Sequence, residues 1–236
     1  MIKFFKNIIN FYPVEFIVGI CAMIFSSIMA WWAYTNGLTT ALADQAAHTI
    51  FARLLSDSLT PGITQLGFWP PLLHVLMMTF SAFDFFYQTG LAGFVAVLPF
   101  FVAGAVYFYR LCMYFTKSVF FSIVGTLVYI LNPYVLYFSA TPMMEVLFLS
   151  LLIIGTYYFI RWTEEDRLKY LLIAGIFFAF AGLARYEGLL LLPVTGMLLL
   201  TRLFWKRVPY AKIEAIAVLF GALAGTGLLF LVIYSW

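Results

Sequence analysis

The fold is decided by the stretch VEFIVGICAMIFSSIMAWWAY, which occupies residues 14–34 and holds one charged side chain, Glu15. About 20 apolar residues in a helix cross a membrane core about 30 Å thick, because each residue advances the helix by about 1.5 Å. Lys3 and Lys6 precede the run, as basic residues do in a signal peptide. The run is too long for the apolar part of a typical signal peptide, and we therefore predict a signal-anchor helix over Val14–Tyr34.

The whole chain has the composition of an integral membrane protein. Of its 236 residues, 65% are apolar and 10% are charged, whereas soluble domains average about 45–50% apolar and about 25% charged residues. A net charge of +3 spread along the chain excludes a nucleic-acid-binding protein. Cys21 and Cys112 lie in or beside apolar runs, which excludes a disulfide scaffold. The apolar runs are continuous rather than alternating, which argues against a β-barrel.

Further apolar runs follow the first, and together they predict an all-α polytopic membrane protein with about seven transmembrane helices. The runs are Leu91–Tyr109, Ser118–Leu131, Met143–Trp162, Leu168–Ala184, Gly188–Phe204 and Ile213–Tyr234. Pro193 should kink its helix without preventing it from spanning.

One segment, Pro71–Tyr87, is ambiguous, because it is apolar but short for a span and has Asp84 near its end. If it does not cross and the N-terminus is cytoplasmic, all of the 13 Lys and Arg residues except Arg53 and Arg185 lie inside. If it does cross, the best orientation places the N-terminus outside. The basic residues that then do not lie inside are Arg185 and the two N-terminal lysines. Basic residues prefer the cytoplasmic side, so charge favours the seven-span arrangement by one residue.

The long connection over residues 35–87 becomes one external loop in that arrangement. Thr39 or Thr40 should cap a helix through Ala41–Leu55. Breakers within Thr60–Gly67 predict an irregular loop, and a second helix should begin near Pro70, because proline suits the first turn. We expect both helices to lie along the membrane surface.

The first of these helices carries the residues that best suit chemistry. Asp44 and His48 are four positions apart and share a helix face. They are either a hydrogen-bonded pair that orients the helix, or a general base with its histidine partner, or two metal ligands. Arg53, further along, suits either a phospholipid or a substrate phosphate. For His74, after a Trp-Pro-Pro turn, a structural role is favoured over ligation.

Three more charged residues fall on the same side of the membrane in the seven-span arrangement. Glu145 begins a predicted span, where a negative charge can simply complement the helix dipole. Arg185 and Glu187 separate two apolar runs and can pair with each other. An external arginine runs against the positive-inside trend, however, and is also what an anionic phosphate ligand requires. The sequence contains no Walker loop, GxSxG elbow, HExxH or CxxC motif.

At these positions the chain resembles the GT-C glycosyltransferases, polytopic enzymes that include the protein mannosyltransferases and the aminoarabinose lipid A transferases. The motifs DQAAH at 44–48 and WPPL at 69–72 resemble the family's first external loop. Asn-Pro at 132–133, followed by Glu145, is similar to its second external loop, where Asp or Glu often heads a helix. The segment ARYEG at 184–188 is similar to a further recurring stretch.

The resemblance implies one GT-C-like transmembrane module over residues 1–236, with the candidate active site in loop 35–87. It implies an inverting hexosyl- or pentosyltransferase that moves a sugar from a polyprenyl-phosphate-linked donor to an acceptor hydroxyl on a protein, lipid or glycan. Asp44 and Glu145 are the expected catalytic residues. A divalent metal (Mg, Mn or Zn), if used, would bind Asp44, His48 and Glu145. The expected substrate-binding residues are His48, Arg53, Gln65, His74, Arg185 and Glu187.

The resemblance also sets expectations about context. We expect a multi-pass protein of a prokaryotic plasma membrane rather than of the endoplasmic reticulum, with the active site on the external side. Full-length members usually carry further helices or a soluble domain. An end at Trp236 therefore fits a fragment, a minimal member, or a chain completed by a partner subunit. A lipid or sugar transporter, or a noncatalytic subunit of a glycosylation complex, is the alternative function.

Overall fold

The computed structural model describes residues 13–205, 213, 216–217, 219–221 and 225. Residues 13–205 form ten α-helices and two short 3-10 helices, and they contain no strand. The all-α fold class is therefore confirmed for the part of the chain that the structure describes.

The helices follow one another with short connections, apart from the loop between the second and third. The α-helices are α1 (Pro13–Thr35), α2 (Ala43–Leu54), α3 (Leu72–Ser81), α4 (Asp84–Thr89), α5 (Leu91–Thr116), α6 (Val119–Ile130), α7 (Pro133–Ser139), α8 (Met144–Glu165), α9 (Leu168–Ala184) and α10 (Leu191–Trp205). The 3-10 helices are Ile63–Leu66, before α3, and Tyr186–Leu190, directly before α10.

Within the described residues, four segments are long and apolar enough to cross a membrane. They are α1, α5, α8 and the continuous helical stretch Tyr186–Trp205. The pair α6 and α7 makes a fifth if it acts as one broken span, whereas α9, with 17 residues, is shorter than the others. The predicted count of about seven spans is not confirmed, and the predicted span Ile213–Tyr234 lies mostly outside the described residues.

The sequence Asn132-Pro133 explains why α6 and α7 are separate helices, bent by 63°. Pro133 has no backbone N–H and cannot continue the hydrogen-bond ladder of α6. The side chain of Asn132 instead accepts hydrogen bonds from the backbone N–H groups of Tyr134 and Val135, at 3.1 and 3.2 Å. One dipeptide therefore ends a helix and caps the next.

The ambiguous segment 71–87 folds as two short helices rather than one span. Helix α3 begins directly after Pro71, close to the predicted start, and has ten residues. Ten residues measure about 15 Å, about half the thickness of a membrane core. Phe83, in an extended conformation, then separates α3 from α4. The segment is therefore too short and too broken for a full helical span.

The predicted cap of α2 is wrong, because Leu42 rather than Thr39 or Thr40 occupies the N-cap position. The backbone N–H of Leu42 donates to Oε1 of Gln45 at 3.0 Å. The amide nitrogen of the same side chain donates to the hydroxyl of Tyr137 at 3.1 Å. Buried Gln45 therefore closes the first turn of α2 and also ties the helix to α7.

Helix α8 packs against α5 and α9, and small residues permit the close approach. A Cβ atom placed on Gly104 of α5 would lie 2.5 Å from Oγ of Ser150 in α8. One placed on Gly93 would lie 2.5 Å from Cβ of Pro142, and closer still to its backbone. Gly93 thus lets the turn that precedes α8 rest directly on α5, which fixes the position of Glu145 at the start of α8.

Candidate active site

A cavity of about 410 Å³ lies where four separate parts of the chain meet: helix α2, the turn before α3, the start of α8, and the connection between α9 and α10. The residues that line it are Asp44, His48, Phe68, Trp69, Pro70, Met143, Met144, Glu145, Arg185, Tyr186 and Glu187. Five of the residues singled out from the sequence are therefore brought together here: Asp44, His48, Glu145, Arg185 and Glu187.

Asp44 and His48 face the cavity from the same side of α2, as their spacing predicts. Asp44 lies in the first turn of the helix and is exposed. His48 is one turn further along and only 2% exposed. The ring of Trp69 packs edge-on against the imidazole of His48, with 4.6 Å between centroids. A solvated carboxylate and a buried imidazole thus stand side by side on one wall.

Behind His48 lies His74, which is fully buried. Nδ1 of His48 is 3.0 Å from Nε2 of His74, and Nδ1 of His74 is 3.0 Å from the carbonyl oxygen of Pro70. Burial, with a smaller effect from the charge of Arg185, lowers the pKa of His48 to about 4. Burial lowers the pKa of His74 to about 3. Both imidazoles are therefore neutral at pH 7.

Glu145 occupies the first turn of α8, where the positive end of the helix dipole favours a carboxylate. Its Oε1 accepts a hydrogen bond from Nη1 of Arg185 at 2.5 Å. Its Oε2 is buried and has no hydrogen-bond partner among the described residues. Leaving a buried carboxylate oxygen unsatisfied costs free energy. This oxygen therefore has one acceptor position to offer a bound ligand.

Arg185 links both glutamates of the cavity. Its backbone is extended, because α9 ends at Ala184, and its side chain lies between the start of α8 and the second 3-10 helix. Nη2 and Nε donate to the two carboxylate oxygens of Glu187, at 2.7 and 3.3 Å. The pKa of Arg185 is raised, chiefly by the hydrogen bonds that its guanidinium donates to Glu187. The pairing of Arg185 with Glu187 that the sequence suggested is present, and Glu145 is a second partner.

The charges of the cavity do not balance. Three carboxylates, those of Asp44, Glu145 and Glu187, face one guanidinium, and the neutral His48 adds no charge. Negative charges therefore exceed positive ones by two. Among the residues that the structure describes, Arg185 is the one positively charged residue in the lining of this cavity.

Three of the predicted substrate-binding residues lie outside the cavity lining. Nε of Arg53 is 2.7 Å from Oδ2 of Asp57, and Nη1 is 3.0 Å from Oδ1 of Asp84. Gln65 donates to the backbone and hydroxyl oxygens of Thr60. His74 is buried behind His48. In each case a partner elsewhere in loop 35–87 holds the side chain, so the structure does not bring these residues to the cavity.

Phe68 and Tyr186 are lining residues that the sequence did not indicate as site residues. The hydroxyl of Tyr186 donates to the backbone carbonyl of Phe68, and the rings of Phe68 and Trp69 are stacked. Their aromatic character is common throughout this chain, which has 27 Phe, 15 Tyr and 6 Trp residues, so composition could not distinguish them.

The metal set suggested from the sequence is not assembled in the structure. No group of three or more His, Cys, Asp or Glu side chains within the described ranges is placed to hold a metal ion. Asp44, His48 and Glu145 line the same cavity without forming such a group. The residues as arranged do not fit a preformed metal site.

Comparison with known proteins identifies one family. The model of the dolichyl-phosphate-mannose-protein mannosyltransferase family matches residues 70–224. The match includes Glu145, Arg185 and Glu187 and begins after Asp44 and His48. No curated protein and no solved structure matches the chain.

Proposed function

This chain belongs to the dolichyl-phosphate-mannose-protein mannosyltransferase family, and we propose that it transfers a sugar from a polyprenyl-phosphate-linked donor to an acceptor hydroxyl. Family membership identifies a membrane glycosyltransferase type. Beyond family membership, we propose that this chain itself uses the lipid-linked donor and inverts the anomeric carbon, and we assign roles to individual residues.

One observation carries the proposal: the cavity gathers polar residues from distant parts of an otherwise apolar chain. Charged groups at membrane depth are costly and tend to mark function. Asp44, Glu145 and Arg185 come from three distant parts of the chain, yet they border one space of about 410 Å³. A space of this size accommodates a sugar-sized ligand.

Asp44 is the proposed general base. A hydroxyl is a weak nucleophile until a base accepts its proton in the transition state. The carboxylate of Asp44 accepts that proton as the acceptor oxygen forms a bond to the anomeric carbon. The bond between that carbon and the phosphate oxygen breaks, and its electron pair leaves with the prenyl phosphate. Attack from the face opposite the leaving group inverts the anomeric configuration.

Arg185 is the proposed ligand of the leaving phosphate. A guanidinium has five N–H groups, of which Arg185 directs three to Glu145 and Glu187. The remaining N–H groups on Nη1 and Nη2 are the donors proposed to contact the phosphate. Hydrogen-bond donors that are already fixed in place stabilise a developing negative charge without reorganisation. The two glutamates hold the guanidinium in position but also weaken its net attraction for the donor.

Glu145 and Glu187 have separate proposed tasks. The unsatisfied Oε2 of Glu145 is an acceptor for a sugar or acceptor hydroxyl. Glu187 orients Arg185 through two hydrogen bonds.

The proposed module comprises residues 1–236, with the cavity on the non-cytoplasmic side of a prokaryotic plasma membrane. The acceptor is a protein, a lipid or a glycan. The distribution of Lys and Arg residues supports this orientation. In the seven-span arrangement all of them except Arg53 and Arg185 lie on the cytoplasmic side, which basic residues prefer.

The test is sugar transfer by the purified chain in lipid vesicles. Radiolabelled polyprenyl-phosphate mannose is supplied with a membrane extract as the source of acceptors, and label that leaves the donor for another molecule is counted. We expect the wild type and Asp57→Asn to transfer the sugar. We expect Asp44→Asn to lose this activity. Absence of transfer by the wild type would contradict an enzymatic role for the isolated chain, and movement of intact donor across the vesicle membrane would indicate a transporter instead.

A further inference from the structure

The two histidines of the chain, His48 and His74, form a buried hydrogen-bonded chain that ends at a backbone carbonyl. His74 lies behind the cavity wall, is fully buried, and is not part of the lining of the cavity. His48 borders the cavity. The position of each hydrogen in this series of hydrogen bonds follows from which of its atoms can donate.

The carbonyl oxygen of Pro70 can only accept a hydrogen bond, so the hydrogen between it and His74 must reside on Nδ1 of His74. A neutral imidazole carries one N–H, and Nε2 of His74 is therefore a bare acceptor. The contact of 3.0 Å between the rings then requires Nδ1 of His48 to be the donor. By the same rule Nε2 of His48 carries a lone pair.

Any other assignment of neutral tautomers brings unfavourable contacts. If His74 carried its proton on Nε2, its Nδ1 lone pair would face the lone pairs of the Pro70 carbonyl across 3.0 Å. If His48 carried its proton on Nε2, two nitrogen lone pairs would face each other between the rings. Unsatisfied polar groups in a buried site are costly. One pair of tautomers alone satisfies both contacts.

We propose that His74 is a positioning residue that fixes the tautomer of His48, so that Nε2 of His48 is a constant hydrogen-bond acceptor for a substrate hydroxyl. Within the described residues, no protein donor is bonded to this Nε2. Acceptance of a hydroxyl rests on the proposed function, because it requires a hydroxyl-bearing ligand in the cavity. The tautomer itself does not depend on that function.

This arrangement separates two roles in the cavity. Asp44, which is exposed, receives a proton during transfer, whereas His48 holds a hydroxyl without taking its proton. Edge-on packing of Trp69 further limits rotation of the His48 ring. A ring fixed in both orientation and tautomer can select a ligand that places a donor, rather than an acceptor, at Nε2.

The direct test is nitrogen NMR of the protein labelled with ¹⁵N-histidine in detergent or nanodiscs, without ligand. The only two histidines give four ring-nitrogen signals, and protonated nitrogens are resolved from bare ones. We expect Nδ1 to be protonated and Nε2 to be bare in both residues. A proton found on Nε2 of His48 would overturn the proposal.

Two variants of His74 test its positioning role. His74→Gln can return an acceptor oxygen near the position of Nε2, whereas His74→Phe keeps an apolar ring and no acceptor. Nδ1 of His48 should stay protonated in His74→Gln, and His48 should become a mixture of tautomers in His74→Phe. An unchanged His48 spectrum in His74→Phe would overturn the role of His74. If that variant does not fold, the spectra of the wild type and His74→Gln decide the tautomer.

Sugar transfer supplies a separate readout. Loss of about one hydrogen bond's contribution corresponds to roughly a tenfold fall in rate, and we expect such a fall in His74→Phe but not in His74→Gln. Equal rates in both would overturn the hydroxyl-acceptor role while leaving the tautomer assignment to the spectra. Absence of transfer by the wild type would instead contradict the proposed function, and the spectra of the ligand-free protein would still decide whether His74 fixes His48.

Discussion

Nη1 of Arg185 lies 2.5 Å from Oε1 of Glu145, and this contact joins the end of α9 to the start of α8 across 40 positions of sequence. The same guanidinium holds Glu187. A lysine cannot reproduce this arrangement, because an ammonium group lacks the planar fork of Arg. The contact therefore makes Arg185 sensitive to a substitution that preserves its charge.

Arg185→Lys should weaken binding of the polyprenyl-phosphate donor by roughly 1–3 kcal/mol, the range for charge-assisted hydrogen bonds. Binding to protein in nanodiscs measures the effect. Arg53→Lys is the matched control, since Arg53 is ion-paired with Asp57 and Asp84 outside the cavity, and its donor affinity should be unchanged. Equal affinities in wild type and Arg185→Lys would make Arg185 a structural residue only.

Asp44→Asn should reduce sugar transfer by about 10²–10⁴-fold, the usual effect of losing a general base. The substitution keeps the size of the side chain, so donor binding should be retained. Asp57→Asn is the control, because Asp57 is an exposed partner of Arg53 in the same loop. Near-normal transfer by Asp44→Asn in the vesicle assay would remove Asp44 from the catalytic role.

Acid should destabilise the fold through His48 and His74. Burial lowers the pKa values of these residues to about 4 and about 3, whereas an unfolded histidine titrates near about 6.5. Below about pH 6.5 the unfolded chain therefore binds more protons than the folded one, and the free energy of unfolding decreases as the pH falls towards 4. Melting temperatures at pH 7.5 and 5.5 measure the loss.

The matched sample for this experiment is the double variant His48→Gln, His74→Phe, which has no histidine left. Its melting temperature should depend less on pH over the same interval. If the wild type and the double variant lose equal stability between pH 7.5 and 5.5, the histidines are not the cause.

Gly93→Ala should lower the melting temperature, because the new Cβ would meet Pro142 at 2.5 Å or less. Overpacking of this kind costs about 1–3 kcal/mol. Gly196→Ala, in α10, is the control. A Cβ at Gly196 has no described heavy atom within 4 Å, and alanine favours a helix over glycine. A melting temperature of Gly93→Ala equal to that of Gly196→Ala would mean that α5 and the turn before α8 are not in close contact.

Residues 35–87 should all lie on one side of the membrane. Leu59, fully exposed, and Gln88, in α4, are suitable sites for single cysteines after Cys21 and Cys112 are replaced by serine. Both should react with a membrane-impermeant thiol reagent from the same side. Lys117→Cys, beyond the candidate span α5, should react from the opposite side. Opposite accessibility of positions 59 and 88 would show that the segment 71–87 crosses.

Several residues that line the cavity of the candidate site were predictable because charged side chains are rare in this sequence. Asp44, Glu145 and Arg185 stand out among apolar residues, and helical spacing alone places Asp44 and His48 on one face. The contact between His48 and His74 was not predictable, because it spans 26 positions and depends on how α2 packs on α3. Local residue preferences contain no information about contacts between residues so far apart in the sequence.

The helices were predictable to a similar degree. Continuous apolar runs indicate long helices such as α1, α5 and α8. The break at Asn132-Pro133 is visible in the sequence as a pair of helix-ending residues, but residue preferences do not give the angle of 63° between the two helices. The predicted cap of α2 is wrong because the helix begins at Ala43 rather than Ala41, so neither Thr39 nor Thr40 adjoins its first turn.

The hydrogen bond from Tyr186 to the carbonyl of Phe68 closes the cavity across 118 positions of sequence. Chains are synthesised at about 5–20 residues per second, so Phe68 is made roughly 6–24 s before its partner. During that interval helix α2, with Asp44 and His48, has been synthesised, but the residues that form the opposite wall of the cavity have not. A nascent chain therefore acquires its complete binding space only when the connection between α9 and α10 has been made and folded back onto the loop.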